Sequence, residues 1–167
     1  DFVLMANAQD FRQQLMRMMR ARIPFVSIRS IERARVLEIL ASVAQEIKIP
    51  VYVHNLSQGT QDIQTKKIFS EDRSIAGGLD FAVQVIGQRQ NITFMFTEIS
   101  ELDDDNTFSR HLYDCALQAI ERGGMLIVLT SKSIWSQLQR LGMTLTLDHP
   151  DESEMETVIR QCIEPYR

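Results

Sequence analysis

Five apolar runs of five residues each, separated by stretches with helical spacing, constrain this chain more than any other feature. They are Pro24-Phe25-Val26-Ser27-Ile28, Pro50-Val51-Tyr52-Val53-His54, Ile92-Thr93-Phe94-Met95-Phe96, Met125-Leu126-Ile127-Val128-Leu129 and Met143-Thr144-Leu145-Thr146-Leu147. Their β-branched and aromatic residues suit strands, and the third and fourth runs are apolar enough to be buried on both faces. Between them, Val36, Leu40, Val43 and Ile47 share one helical stripe, and Leu79, Ala82, Val83 and Ile86 share another. Strands that alternate with helices over short connections must run parallel, with right-handed crossovers covering both faces. The expected fold is therefore α/β, a three-layer sandwich around a five-stranded, mainly parallel sheet.

At 167 residues the chain has the size of one domain, and a domain of this length buries roughly 70% of its unfolded surface. Residues 1–23 carry a helix from about Asn7 to Arg22, with Phe11, Leu15, Met18 and Met19 facing inward and Pro24 stopping it. Residues 24–167 form the α/β core. Ser30 is the expected N-cap of the second helix, with Glu32 in its first turn. The polar stretch from Asn55 to Gln64 reads as a loop with a short helix near Lys66. Thr107 to Glu121 is a helix ended by Gly123-Gly124, Ser133 to Leu141 a shorter one closed by Gly142, and Pro150 opens the last, which runs to about Pro165. The absence of a leading methionine suggests a piece of something longer.

A net charge of −4 supplies no general field for nucleic acid. No stretch approaches the roughly eighteen apolar residues of a membrane span, and Asp1 to Asn7 is too short for a signal peptide. The expected compartment is the cytoplasm. Cys115 and Cys162 lack a CxxC partner and sit at helical positions among apolar neighbours, so both read as buried free thiols. His54, His111 and His149 show no metal-ligand spacing. Trp135 reads as a packing anchor.

In an open parallel sheet, ligands sit at the carboxyl ends of the strands. After the first strand comes Arg29-Ser30-Ile31-Glu32. A phosphate cradle there needs several glycines, so that amides can wrap the anion, and a lysine for the outer phosphates. Neither is present. The third strand ends in Thr97-Glu98, with threonine where a magnesium-binding acid would stand before a second, water-orienting acid. Thr130, ending the fourth strand, could sense a phosphate but is better read as a helix cap. Glu98, Glu101, Asp103, Asp104 and Asp105 are the densest acidic cluster, read as a solvated or docking loop rather than a metal site. Gly77-Gly78 could hold an anion through free amides. Arg12, Arg17, Arg20 and Arg22 cluster on the first helix, as a solvated face or a contact surface. The expectation is no catalytic residue, no cofactor and no metal in this domain.

Taken in order, Met18 to Ile28, Glu32-Arg33, Val36-Leu37, Phe94-Met95-Phe96, Leu126 to Ser131 and Leu147-Asp148-His149-Pro150 resemble the N-terminal part of a group of AAA ATPases encoded in algal plastids, cyanobacteria and other bacteria. The resemblance implies a degenerate P-loop domain of RecA/AAA-like topology, followed by an intact AAA module that holds the catalytic residues. It also adds a plastid stroma as the counterpart of the cytoplasm. The function it implies is non-catalytic regulation or assembly, through contacts with neighbouring subunits in a homo-oligomer, a partner protein or the chain's own AAA module. Arg12, Arg17 and Arg20 and the acidic Glu101, Asp103, Asp104 and Asp105 are the candidate contact residues, since opposite charges could pair head to tail in a ring. A stand-alone scaffold module and a weak nucleotide- or magnesium-dependent hydrolase using Glu98, Asp103 and Asp104 are the alternatives.

Overall fold

The structure is a computed structural model that describes residues 3–147 and 152–164. All five expected strands form: β2 (Phe25–Arg29), β3 (Val51–Asn55), β6 (Thr93–Phe96), β7 (Met125–Thr130) and β8 (Met143–Leu147). Three more extend the sheet to eight, namely β1 (Val3–Ala6), β4 (Gly59–Asp62) and β5 (Ile68–Ser70), in the order β1-β8-β2-β7-β6-β3-β4-β5. The pairings from β1 through β3 are parallel, while β4 and β5 fold back antiparallel.

Two of the additions replace the expected loop and short helix. Asn55 accepts hydrogen bonds on its side-chain oxygen from the backbone N–H of Ser57 (3.0 Å) and Gln58 (2.7 Å), which bends the chain back. Gly59 follows at φ +85°, and a Cβ there would lie 2.3 Å from the Ser70 carbonyl oxygen. At the next turn the Asp62 carboxylate accepts from the N–H of Gln64 and Thr65. Lys66 therefore sits in a turn, with φ +63°. The third addition, β1, pairs with β8 and so joins the segment before α1 to the sheet.

Helices α1 (Ala8–Ala21) and α2 (Arg33–Ile47) cover one face, where Phe11, Leu15, Val36 and Leu40 meet Val26, Ile28, Ile127 and Leu129. Helices α3 (Ile75–Gln88), α4 (Thr107–Arg122) and the single-turn α5 (Ser136–Gln139) cover the other, against Phe94, Phe96, Leu126 and Val128. Side chains of β7 thus alternate between two separate cores, as a central parallel strand must. Each fully buried large apolar side chain contributes about 1.5–3 kcal/mol by leaving water. Trp135 is half-buried in the second core with its ring beside Tyr113, in a packing position. Gly142 brings the chain into β8 so closely that a Cβ would fall 1.6 Å from the Phe25 carbonyl oxygen.

Helix α6 (Glu152–Ile163) presents Ile159, Cys162 and Ile163 to solvent. This corrects the expectation that both thiols are buried. The loop joining β8 to α6, including His149 and Pro150, lies outside the described residues, as does Pro165. Cys115, by contrast, is fully buried, and desolvation, helped by the neighbouring Asp114 charge, pushes its thiol up to about 12. Thiolate is the reactive form. A disulfide-exchange reagent near neutral pH should therefore modify Cys162 within minutes and Cys115 only after unfolding. Equal native rates for Cys115→Ser and Cys162→Ser would contradict this packing.

Candidate functional site

From β2 the chain crosses to β3 over the α1/α2 face, whereas from β7 it crosses to β8 over the opposite face. Adjacent strands whose connections leave in opposite directions open a crevice at their carboxyl ends. A cleft of about 620 Å³ lies there, lined by Ser30, Arg33, Thr97, Glu98, Thr130, Lys132 and the start of the acidic loop. The fold thus brings Ser30, Thr97, Glu98 and Thr130 together with Glu101 and Asp103. Arg29 lines a smaller neighbouring pocket, and Arg12, Arg17 and Arg20 lie on α1, away from both.

Several polar groups in the cleft are already paired within the protein. The Thr97 hydroxyl is buried and donates to the His54 carbonyl oxygen at 3.0 Å, and the Thr97 backbone N–H donates to the same oxygen at 3.1 Å. Side chain and backbone together tie the end of β6 to the end of β3. Glu98 pairs with Arg33, the first residue of α2. Half of the Arg33 side chain is exposed, so the pair contributes at most about 1 kcal/mol to stability. Its effect is instead to place one cation and one anion across the cleft from each other. Thr130 donates to the Lys132 carbonyl oxygen at 3.0 Å and caps no helix. Ser30 is not the N-cap of α2 either: the cap position is Glu32, and the Ser30 hydroxyl oxygen accepts from the Glu32 N–H. The loop closes one turn before the helix starts, which leaves no wrapped nest of amides.

The acidic loop is structured by its own residues. Arg110 grips Asp105 through two hydrogen bonds of 2.6 and 2.8 Å, which holds the Asp105 carboxyl below its usual range. Asn106 and Ser109 form a reciprocal capping box that starts α4. Among the described residues, no three His, Cys, Asp or Glu side chains converge as metal ligands would. On α1, Arg12 is bound to Glu46 and Arg22 to Asn91, while Arg17 and Arg20 are exposed without an ion-pair partner among the described residues.

Gly77 and Gly78 lie within the first turn of α3, whose N-cap is Ser74. The space an anion would need is filled from within. A Cβ on Gly77 would lie 2.0 Å from the Asp72 carboxylate, and one on Gly78 would lie 2.7 Å from the His54 ring. Asp72 accepts from the Ser74 N–H (2.9 Å) and hydroxyl (2.7 Å), and these bonds hold its carboxyl below the usual range. His54 Nε2 meets the Asp72 carbonyl oxygen at 3.2 Å, as a donor in that tautomer. Burial lowers the His54 pKa from its ordinary value of 6.5.

Residues 11–147 match the family described as SpoVK-like AAA ATPase, N-terminal domain. The chain belongs to that family. Among solved structures, this SpoVK-like N-terminal domain is similar to a Thermotoga maritima RuvB variant (TM-score 0.57, 14% identity, covering 95% of this chain and 51% of that one). It is also similar to C. elegans PCH-2 (TM-score 0.61, 7% identity, 95% and 47% covered) and to domain III of the Thermotoga maritima replication initiation protein DnaA (0.59, 10%, 99% and 72%). Identities this low establish the fold, which is that of the AAA/RecA-like P-loop ATPases. The chain spans about half the length of the RuvB and PCH-2 structures. No curated protein matches the sequence. Among the described residues, no helix is long and apolar enough to cross a membrane.

Sequence reasoning singled out Thr97 and Glu98 but gave Arg33 no role in the site. The available signal was a lone basic residue opening the second helix and a lone acid ending the third strand, each at a position facing the same crevice. Two outcomes follow from the geometry. Thr97→Asp places a carboxylate against the His54 carbonyl oxygen and removes a buried donor, so denaturant unfolding should show a loss of roughly 2–4 kcal/mol; unchanged stability would show that the site tolerates the acid. Because the folded-state pKa of His54 is depressed, its neutral ring carries no protonation penalty above pH 6.5. As pH falls below that value the unfolded chain takes up a proton that the folded chain resists, and stability is lost. His54→Gln should flatten this decline relative to the parent, and superimposable stability–pH curves would remove His54 as its cause.

Proposed function

We propose that this domain is a non-catalytic regulatory or assembly part of an AAA-type ATPase, making contacts with neighbouring subunits, a partner protein or the catalytic AAA module of the same chain. One observation carries the reading: in the crevice where a P-loop fold would grip phosphate, Arg33 and Glu98 neutralise each other and Thr97 is spent on the His54 carbonyl. Phosphoryl transfer depends on a cradle of amides, a lysine and a magnesium-binding acid, and the loop 29–32 and Thr97 supply none of these. The domain then takes no nucleotide, metal or other cofactor, and catalysis belongs to another module of the longer protein. It works in the cytoplasm or a plastid stroma as part of a homo-oligomer.

Of the contact residues expected from sequence, Arg17, Arg20, Glu101 and Asp103 are exposed and form no ion pair among the described residues, whereas Arg12 and Asp105 are engaged within the domain. Charge complementarity between such faces sets register and association rate more than affinity. Calorimetric titration of this chain with Mg-ATP should give no binding heat, and a saturable isotherm would overturn the reading. In the longer protein, Arg17→Glu with Arg20→Glu should weaken assembly at least tenfold by sedimentation velocity. An unchanged profile would remove that face from the assembly.

A further inference from the structure

One cation at the carboxyl edge of the sheet has no counterpart among the described residues. Arg29 ends β2, in register with Thr130 of β7 on one side and Thr146 of β8 on the other. Paired residues of parallel strands share a face. Ile28, Leu129 and Leu147 join the α1/α2 core, so Arg29, Thr130 and Thr146 all belong to the opposite face. Among the described residues, the connection from β7 to β8 covers that face with the single turn of α5. Arg29 is half-buried, its Nε is sealed from solvent without a hydrogen-bond partner, and among the described residues it forms no ion pair. A pocket of about 220 Å³ surrounds it, walled by Ser30, Ser131, Thr146 and Leu147, with Glu32 and Ile31 at its margin. It shares only Ser30 and Ser131 with the larger cleft.

We propose that the Arg29 pocket receives a single carboxylate, the side chain of a glutamate or aspartate on a partner protein, with an adjoining apolar residue of that partner resting on Ile31. Size argues first: ligand pockets for whole small molecules start near 300 Å³, and this one holds about 220 Å³. Charge argues next. Glu32, although paired with Arg35 at 2.9 Å, leaves a second negative group beside the pocket, which disfavours a dianionic phosphate more than a monoanionic carboxylate. A planar guanidinium fork matches a planar carboxylate, and the Ser30, Ser131 and Thr146 hydroxyls can complete its hydrogen bonds. Ile31 argues for a protein source. It is 74% exposed directly beside the pocket, and arginine is among the residues that most often anchor protein interfaces. The inference rests on the reading of the domain as a contact module and names what it contacts.

The test uses this chain labelled with nitrogen-15. The probes are acetyl-Leu-Glu-Leu-amide, its Gln counterpart and inorganic phosphate, with the Arg29 Nε–H and the backbone amides of Ser131 and Thr146 as reporters. The Glu peptide should shift these signals saturably in the millimolar range, at least tenfold more tightly than the Gln peptide or phosphate. Arg29→Gln should lose that binding at the backbone amides while keeping the parent unfolding transition. Arg29→Lys, which keeps the charge without the fork, should fall between and serves if Arg29→Gln folds poorly. No shift with the Glu peptide, equal binding of the Gln peptide, or phosphate binding as tight as the Glu peptide would each overturn the proposal. If the peptide fails while Mg-ATP is also silent, the non-catalytic reading survives and only this partner chemistry is lost.

Discussion

Parallel pairing of β2 with β7 and β8 is the constraint on which the remainder of the molecule depends. Neighbouring parallel strands cannot be joined by a tight turn, so the chain must leave the sheet and return over one face or the other. Because the strands are apolar on both sides, both faces need covering, and the helices divide accordingly into two cores. That division makes the connections after β2 and β7 part in opposite directions, and a crevice follows from geometry alone. The protein therefore possesses a cleft whatever chemistry its side chains provide.

Around the cleft, several side chains that could face a ligand are paired within the protein. In a nucleotide-binding relative of this fold, charge at the strand ends would face a ligand. Here Arg33 and Glu98 face each other, Thr97 holds two strands together, and the Asp72 carboxylate sits over the first turn of α3. Internal pairing of this kind occurs at three places. Arg29 departs from it, as a cation with no internal partner among the described residues.

How much of this was legible in the sequence depended on how local the determining physics is. Strands β2, β3, β6, β7 and β8 announce themselves because double burial leaves continuous apolar runs, as in Met125 to Leu129. The hairpin β4–β5 does not, since Gly59-Thr60-Gln61-Asp62 carries no apolar alternation and is held by pairing to β3; only the Asn55 and Gly59 turn residues hinted at it. That residues 29–32 hold no glycine and no lysine was readable, because such residues are either there or not. Which residues fill the gap was not, since the Arg33–Glu98 contact joins positions 65 residues apart. Exposure of Cys162 was likewise hidden: its helical spacing looks amphipathic, and spacing alone does not say whether anything packs against the stripe.

The sheet ends on its β5 side in a three-residue strand with a register shift between Thr60 and Gln61 and with Lys66 and Lys67 at the turn before it. Short, irregular, lysine-flanked edges discourage further strand addition. Continuing the backbone ladder on that side is therefore disfavoured, which leaves side chains as the means of any contact there. Contacts of that kind form and release with ionic strength and protonation instead of locking in place.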